Sequence, residues 1–98
     1  MEKNRTVKIV NMLYYIKKII DIEPYTVVCK FNTGEVRKID LQNNLKRLAT
    51  QSPQVFGKLL DKHYFKTVKL DSYGTLCWKN EVDFCPDTLY KLSKPITN

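Results

Sequence analysis

Long apolar runs are missing from this chain. The longest uninterrupted one goes only from Met12 to Ile16, whereas a signal peptide needs about 7–15 apolar residues and a membrane span about 20. Neither export nor membrane insertion is expected. Cysteine is sparse and odd in number, with Cys29, Cys77 and Cys85 far apart; a secreted disulfide scaffold of this size would carry an even, closely spaced set. These absences point to a reducing cytoplasm. Histidine is reduced to His63. No nucleophile–base pairing, metal-ligand spacing or phosphate loop stands out, so no enzyme, cofactor or small-molecule substrate is expected.

What is present fits one small folded domain. A chain of 98 residues is the length of a single domain and can bury about 60–65% of its unfolded surface. Its 43% hydrophobic content, six tyrosines and four phenylalanines exclude a disordered polymer. The formal charge of +7 is unevenly spread. Residues 41–69 hold Lys46, Arg47, Lys58, Lys62, Lys66 and Lys69 against one acid, Asp61, while residues 71–87 hold Asp71, Glu81, Asp83 and Asp87 against Lys79. Such asymmetry attracts polyanions or an acidic partner; the alternative is a solvated surface in a lysine-rich chain.

Periodicity organises the chain. Thr6 to Ile20 reads as an amphipathic helix by its spacing and as a strand by its β-branched residues, with a strand from about Lys17 to Glu23. After Pro24, Tyr25, Val27, Cys29 and Phe31 alternate with polar neighbours as a strand with one apolar face. Asn32-Thr33-Gly34 turns the chain, and Glu35 to Asp40 returns as the second arm of a hairpin. Leu41, Leu45 and Leu48 fall at helical spacing. Ser52 before Pro53 reads as a helix start, with serine as cap and proline in the first turn, for a helix from Pro53 to about Lys62. Phe65 to Asp71 and Thr75 to Lys79 spell a second hairpin, with Leu76 and Trp78 inward. Asp87 to Leu92 is a short final helix.

The expected class is α+β: a mostly antiparallel sheet built from two hairpins, with two or three short helices packed on one side. Residues 1–16 form an N-terminal extension, 17–92 the domain, and 93–98 a loose tail.

Four ordered motifs carry a resemblance. Phe31-Asn32-Thr33-Gly34-Glu35-Val36-Arg37, then Ile39-Asp40-Leu41, then Phe65 through Leu70, and finally Trp78-x-Asn80, Asp83, Pro86-Asp87 and Leu89-Tyr90 together resemble the bacterial domain of unknown function 2442. The match spans roughly residues 17–90. It departs from the family pattern at Glu81, where glycine is favoured after asparagine, and at Thr33, which lengthens the first turn. The resemblance implies a small α+β fold with helices on one side of the sheet. Some relatives carry a helix-turn-helix domain after this one, for which 98 residues leave no room. Others sit beside a second small family in an arrangement of the toxin–antitoxin kind. The resemblance implies no catalytic residue.

Several constellations have a chemical and a structural reading. Cys29, Cys77, Cys85 and His63 could supply four zinc ligands, but none stands at the usual gap of about two to four residues; buried thiols and a surface histidine are the simpler account. Cys85 precedes a helix start, a position that can favour a reactive thiol, yet it lacks an evident base. Glu81, Asp83 and Asp87 could act as acid and base or bind a hard cation, but an Asp87 that favours the free N–H groups of the last helix is cheaper. Trp78 and Tyr90 read as core rather than as a stacking platform.

The basic set Lys46, Arg47, Lys58, Lys62, Lys66 and Lys69 remains as a candidate phosphate-contacting face without base readout. The expected function is non-enzymatic binding, first of a protein partner or a second copy through a free sheet edge or apolar patch. The alternative is electrostatic nucleic-acid binding through residues 46–69.

Overall fold

The computed structural model describes residues 13–79 and 84–96. In order these are β1 (Ile16–Glu23), β2 (Thr26–Phe31), β3 (Val36–Asp40), α1 (Gln42–Gln51), α2 (Pro53–Phe56), a 3₁₀ turn (Lys58–Leu60), α3 (Lys62–Phe65), β4 (Lys69–Leu70), β5 (Leu76–Cys77), α4 (Pro86–Leu92) and β6 (Lys94–Pro95). The class is α+β, as the hairpin pattern predicts. The two hairpins lie in separate antiparallel sheets: β1-β2-β3-β6 makes four strands and β4-β5 makes two.

Alternation decides which face of the larger sheet is covered. Val27, Cys29 and Phe31 on β2 and Ile39 on β3 are fully buried, joined by Ile16 from β1. Over them pack Leu41, Leu45, Leu59, Phe65 and Leu89 from the helical layer, and Val68, Leu76 and Trp78 from the smaller hairpin. Each such large apolar side chain contributes roughly 1.5–3 kcal/mol by leaving water. Opposed residues of neighbouring strands share a face. The intervening positions, among them Lys18, Lys30 and Lys38, therefore look away from the helices.

The ambiguous N-terminal segment resolves as strand from Ile16 onward. β1 pairs with β2 at Ile19↔Cys29 and Ile22↔Val27, with irregularities between Ile16 and Lys18 and between Ile19 and Asp21. An extra residue at each irregularity lets Ile16, Ile19 and Ile22 all face the core despite their three-residue spacing. That spacing is what imitates a helix. The reading of residues 1–12 lies outside the described residues, as do Asn80, Glu81, Val82 and Asp83.

Four expectations need correction. The single helix from Pro53 to Lys62 is divided into α2, the 3₁₀ turn and α3, and the break before α3 falls where Asp61 adopts an extended conformation. Its carboxylate accepts the N–H groups of His63 and Tyr64 and so starts a new helix. Ser52 stands at the start of α2 with Pro53 in the first turn, but its side chain makes no cap. Its carbonyl accepts from Val55 and Phe56 while its N–H closes α1 on Leu48.

The third correction concerns the tail. Ser93 is buried, Lys94 and Pro95 pair with Lys38 and Arg37, and the Ile96 N–H donates to the Val36 carbonyl at 3.1 Å. β3 had an unpaired outer edge, and this segment satisfies part of it. The second hairpin is also shorter than its alternation implies, with two residues per arm and Phe65 taken into α3.

Candidate nucleic-acid interface

The helical layer carries five of the six basic residues. Lys46 and Arg47 are consecutive on α1, next to the buried Leu45. Lys58 opens the 3₁₀ turn, Lys62 opens α3 and Lys66 closes it. All of these side chains are exposed, as is Lys69 in β4, and none pairs with an acid among the described residues.

Lys62 and Lys66 are brought together across the one turn of α3, with the Lys66 N–H on the Lys62 carbonyl at 3.3 Å. Lys58 joins them differently from its expected helical spacing. The chain bends at Asp61, and the Lys58 ammonium lies 5.7 Å from the centroid of the Tyr64 ring on α3, a cation–π contact. Asp61, the one acid in this stretch, already serves two backbone N–H groups. Lys69 sits apart on the smaller sheet. The layer is held to the larger sheet at Tyr25, whose hydroxyl donates to the Leu60 carbonyl.

The described motif residues hold turns and packed contacts of the fold. Gly34 takes a φ of +90° at the hairpin turn, a region that favours glycine. The Asn32 side chain accepts the Tyr15 N–H at 2.9 Å and donates to the Leu13 carbonyl at 3.1 Å, which holds the approach to β1. Asp40 accepts the Gln42 N–H at 3.0 Å and starts α1. Trp78 is buried with its indole N–H on the Phe65 carbonyl at 3.0 Å. Pro86 and Leu89 are buried on α4. Asp87 does not cap its own helix with its side chain; it accepts the Tyr14 N–H at 2.8 Å, which tethers α4 to the chain entering β1. Its proposed acid–base companion Asp83 lies outside the described residues.

One polar cluster escapes sequence reasoning. Arg37 donates to Glu35 at 2.9 Å, to the Ser93 hydroxyl at 2.6 Å and to the Ser93 carbonyl at 3.1 Å. Its guanidinium carbon lies 4.2 Å from the centroid of the Tyr90 ring. The Tyr90 hydroxyl donates to the other Glu35 oxygen at 2.6 Å, and the Tyr90 ring stacks on Tyr14 at 3.7 Å with planes 4° apart. Tyr90 meets Phe31 edge-on as well. The Tyr90 hydroxyl, then Thr33 and Arg37, hold the Glu35 carboxyl below its ordinary pKa, while its bond to Glu35 raises the Tyr90 phenol. These partners are separated by more than fifty residues, so only the motif pairing of Glu35-Val36-Arg37 with Leu89-Tyr90 signals them. The cluster pins α4 to the hairpin.

The cysteines and His63 do not assemble. Among the described residues no group of three or more His, Cys, Asp or Glu side chains could hold a metal ion. Cys29 is buried, and burial pushes its thiol up to about 12; Cys85 is exposed. Among the described residues no helix is long and apolar enough to cross a membrane.

A search of curated proteins gave no match. Among solved structures, the fold is similar to that of a putative DNA-binding protein from Nitrosomonas europaea, with a TM-score of 0.64 and 22% identity over 83% of this chain. The match takes in 49% of that protein, so this chain spans about half of it. At this identity the likeness establishes the fold alone. Residues 16–95, from the first residue of β1 to the last of β6, match the model of the proteins of unknown function DUF2442, and the chain belongs to that family.

Proposed function

We propose that this domain binds nucleic acid electrostatically, through the phosphate backbone and without reading bases. The observation that carries this reading is the basic stretch of residues 46–69: six exposed cationic side chains, five on the helical layer and Lys69 on the smaller sheet, none paired with an acid among the described residues. The one interspersed carboxylate, Asp61, is already engaged by backbone N–H groups. Cations left unpaired in this way are free to replace the counterions of a polyanion, whose release drives binding. The DNA-binding description of the fold neighbour supports the same direction.

Fluorescence anisotropy with a generic duplex tests it. Six phosphate contacts give a slope of about −5 in log affinity against log salt, hence a loss of roughly 10³-fold between about 50 and 200 mM. Lys58→Glu, Lys62→Glu and Lys66→Glu together should abolish binding by this layer. Duplex affinity that does not respond to salt would refute the reading.

A second reading, contact with a protein partner or a second copy, draws on a different observation. β1 is an outermost strand, and Leu13, Tyr15 and Ile20 stand exposed along it or just before it, with Tyr73 also exposed in the β4–β5 turn. Exposed apolar groups along an outermost strand favour strand pairing. Light scattering should then show a dimer that Ile20→Lys dissociates; a monomer at all concentrations would exclude self-association.

A further inference from the structure

The face of the four-stranded sheet turned away from the helical layer contains an arrangement that stability alone does not favour. Strand register sets Lys18 directly opposite Lys30 on β1 and β2. It sets Lys38 directly opposite Lys94 on β3 and β6. Like charges directly opposed across two strands repel and weaken the pairing. All four side chains are exposed and make no ion pair among the described residues. The acids of this face, Asp21, Glu23 and Asp40, are opposite Val28, Thr26 and Thr26 respectively, not opposite a lysine. Asp40 is in addition engaged by the Gln42 N–H.

From this juxtaposition we infer that this sheet face is a second phosphate-contacting surface, separate from the helical layer and taking a duplex nucleic-acid backbone. The inference rests on the nucleic-acid reading above but not on the same residues. Its geometry suits a backbone track. Neighbouring strands lie about 4.8 Å apart, so four lysines on four successive strands span roughly 14–16 Å, a stretch along which a duplex presents several phosphates. Beside the Lys38–Lys94 pair runs an open groove of about 230 Å³ lined by Lys38, Asp40, Leu92 and Lys94. That is below the range of about 300–1,000 Å³ typical of ligand pockets, and it is wide enough for one phosphodiester group.

The outward positions paired across this face, from Lys18 on β1 to Lys94 on β6, include no aromatic side chain. Single-strand binders depend on such side chains for base stacking. A duplex is therefore the favoured occupant.

The test uses the full chain and two variants. One replaces Lys18, Lys30, Lys38 and Lys94 with Gln, and the other carries the helical triple reversal. The helical variant should retain salt-dependent duplex binding with a slope near −3.6, the value for four contacts at about 0.9 each. The sheet variant should lose that component, and wild type should bind duplex more tightly than single strand. Complete loss in the helical variant would overturn the second surface and leave the proposed function standing. Loss only in the sheet variant would keep this surface and displace the helical one. No duplex binding by wild type would refute both, and tighter single-strand binding would refute the duplex assignment. Lys38→Gln alone guards against misfolding of the quadruple variant: it should raise the melting midpoint in low salt and leave it unchanged in high salt, and an unchanged midpoint in low salt would count against the strained pair.

Discussion

Two glycines sit in turns of the same kind and differ in one respect that can be measured. Gly34 has a φ of +90° and Gly74 a φ of +79°. Each N–H closes a turn, on Phe31 at 2.9 Å and on Asp71 at 3.1 Å. A Cβ at Gly34 would meet nothing within 4 Å, whereas one at Gly74 would lie 2.7 Å from the Tyr15 Cβ and 3.2 Å from the Ile16 carbonyl. Alanine at either site pays the left-handed backbone cost of about 1–2 kcal/mol. At Gly74 it must also displace Tyr15 from a packed contact, for about 1–3 kcal/mol more, and it disturbs the Ile16 N–H bond to the Gly74 carbonyl at 2.8 Å. Urea unfolding should therefore place Gly34→Ala about 1–2 and Gly74→Ala about 2–5 kcal/mol below wild type. The difference between them isolates the docking of the smaller hairpin onto β1. Equal losses in the two variants would refute that docking.

Two further outcomes follow from the titrating groups. The lowered Glu35 carboxyl adds stability that is present above its unfolded pKa and is lost as pH falls through the folded value. The raised Tyr90 phenol adds stability that is present below its unfolded pKa and is lost as pH rises through the folded value. Both depend first on the one bond between them, so Tyr90→Phe should flatten the stability profile at both ends; a variant with both limbs intact would exclude the bond as their source. Thiol labelling of the native protein should reach the exposed Cys85 quickly and Cys29 only on unfolding, because the Cys29 thiol is buried and pushed up to about 12. Rapid labelling of Cys29 in the folded state would contradict its place in the core.

Legibility followed the range of the forces involved. The hairpin of β2 and β3 was plain because alternation and Asn32-Thr33-Gly34 act within a few residues. The helix after Leu41 and the short final helix were plain for the same reason, although α4 begins at Pro86, one residue before the expected Asp87. The bulged β1 was ambiguous, since two extra residues convert a strand's period into one that imitates a helix. The break at Asp61 was missed because an aspartate before Lys62-His63-Tyr64 reads equally as helix interior and as cap; the extended backbone at Asp61 chooses between them. The basic residues could be listed from the sequence. Which of them share a surface could not.

Composition and local pattern by themselves determined a single small α+β domain, its principal hairpin, the inward faces of its strands and its excess of positive charge. These depend on side-chain chemistry and nearest neighbours in the chain. Only tertiary structure decided that β6 completes the sheet, that Arg37, Glu35, Tyr90 and Ser93 lock α4 to the hairpin, and that Lys18 faces Lys30 and Lys38 faces Lys94. Such pairings depend on strand register and on contacts between residues far apart in sequence. Their strength comes from groups that meet only once the chain has folded.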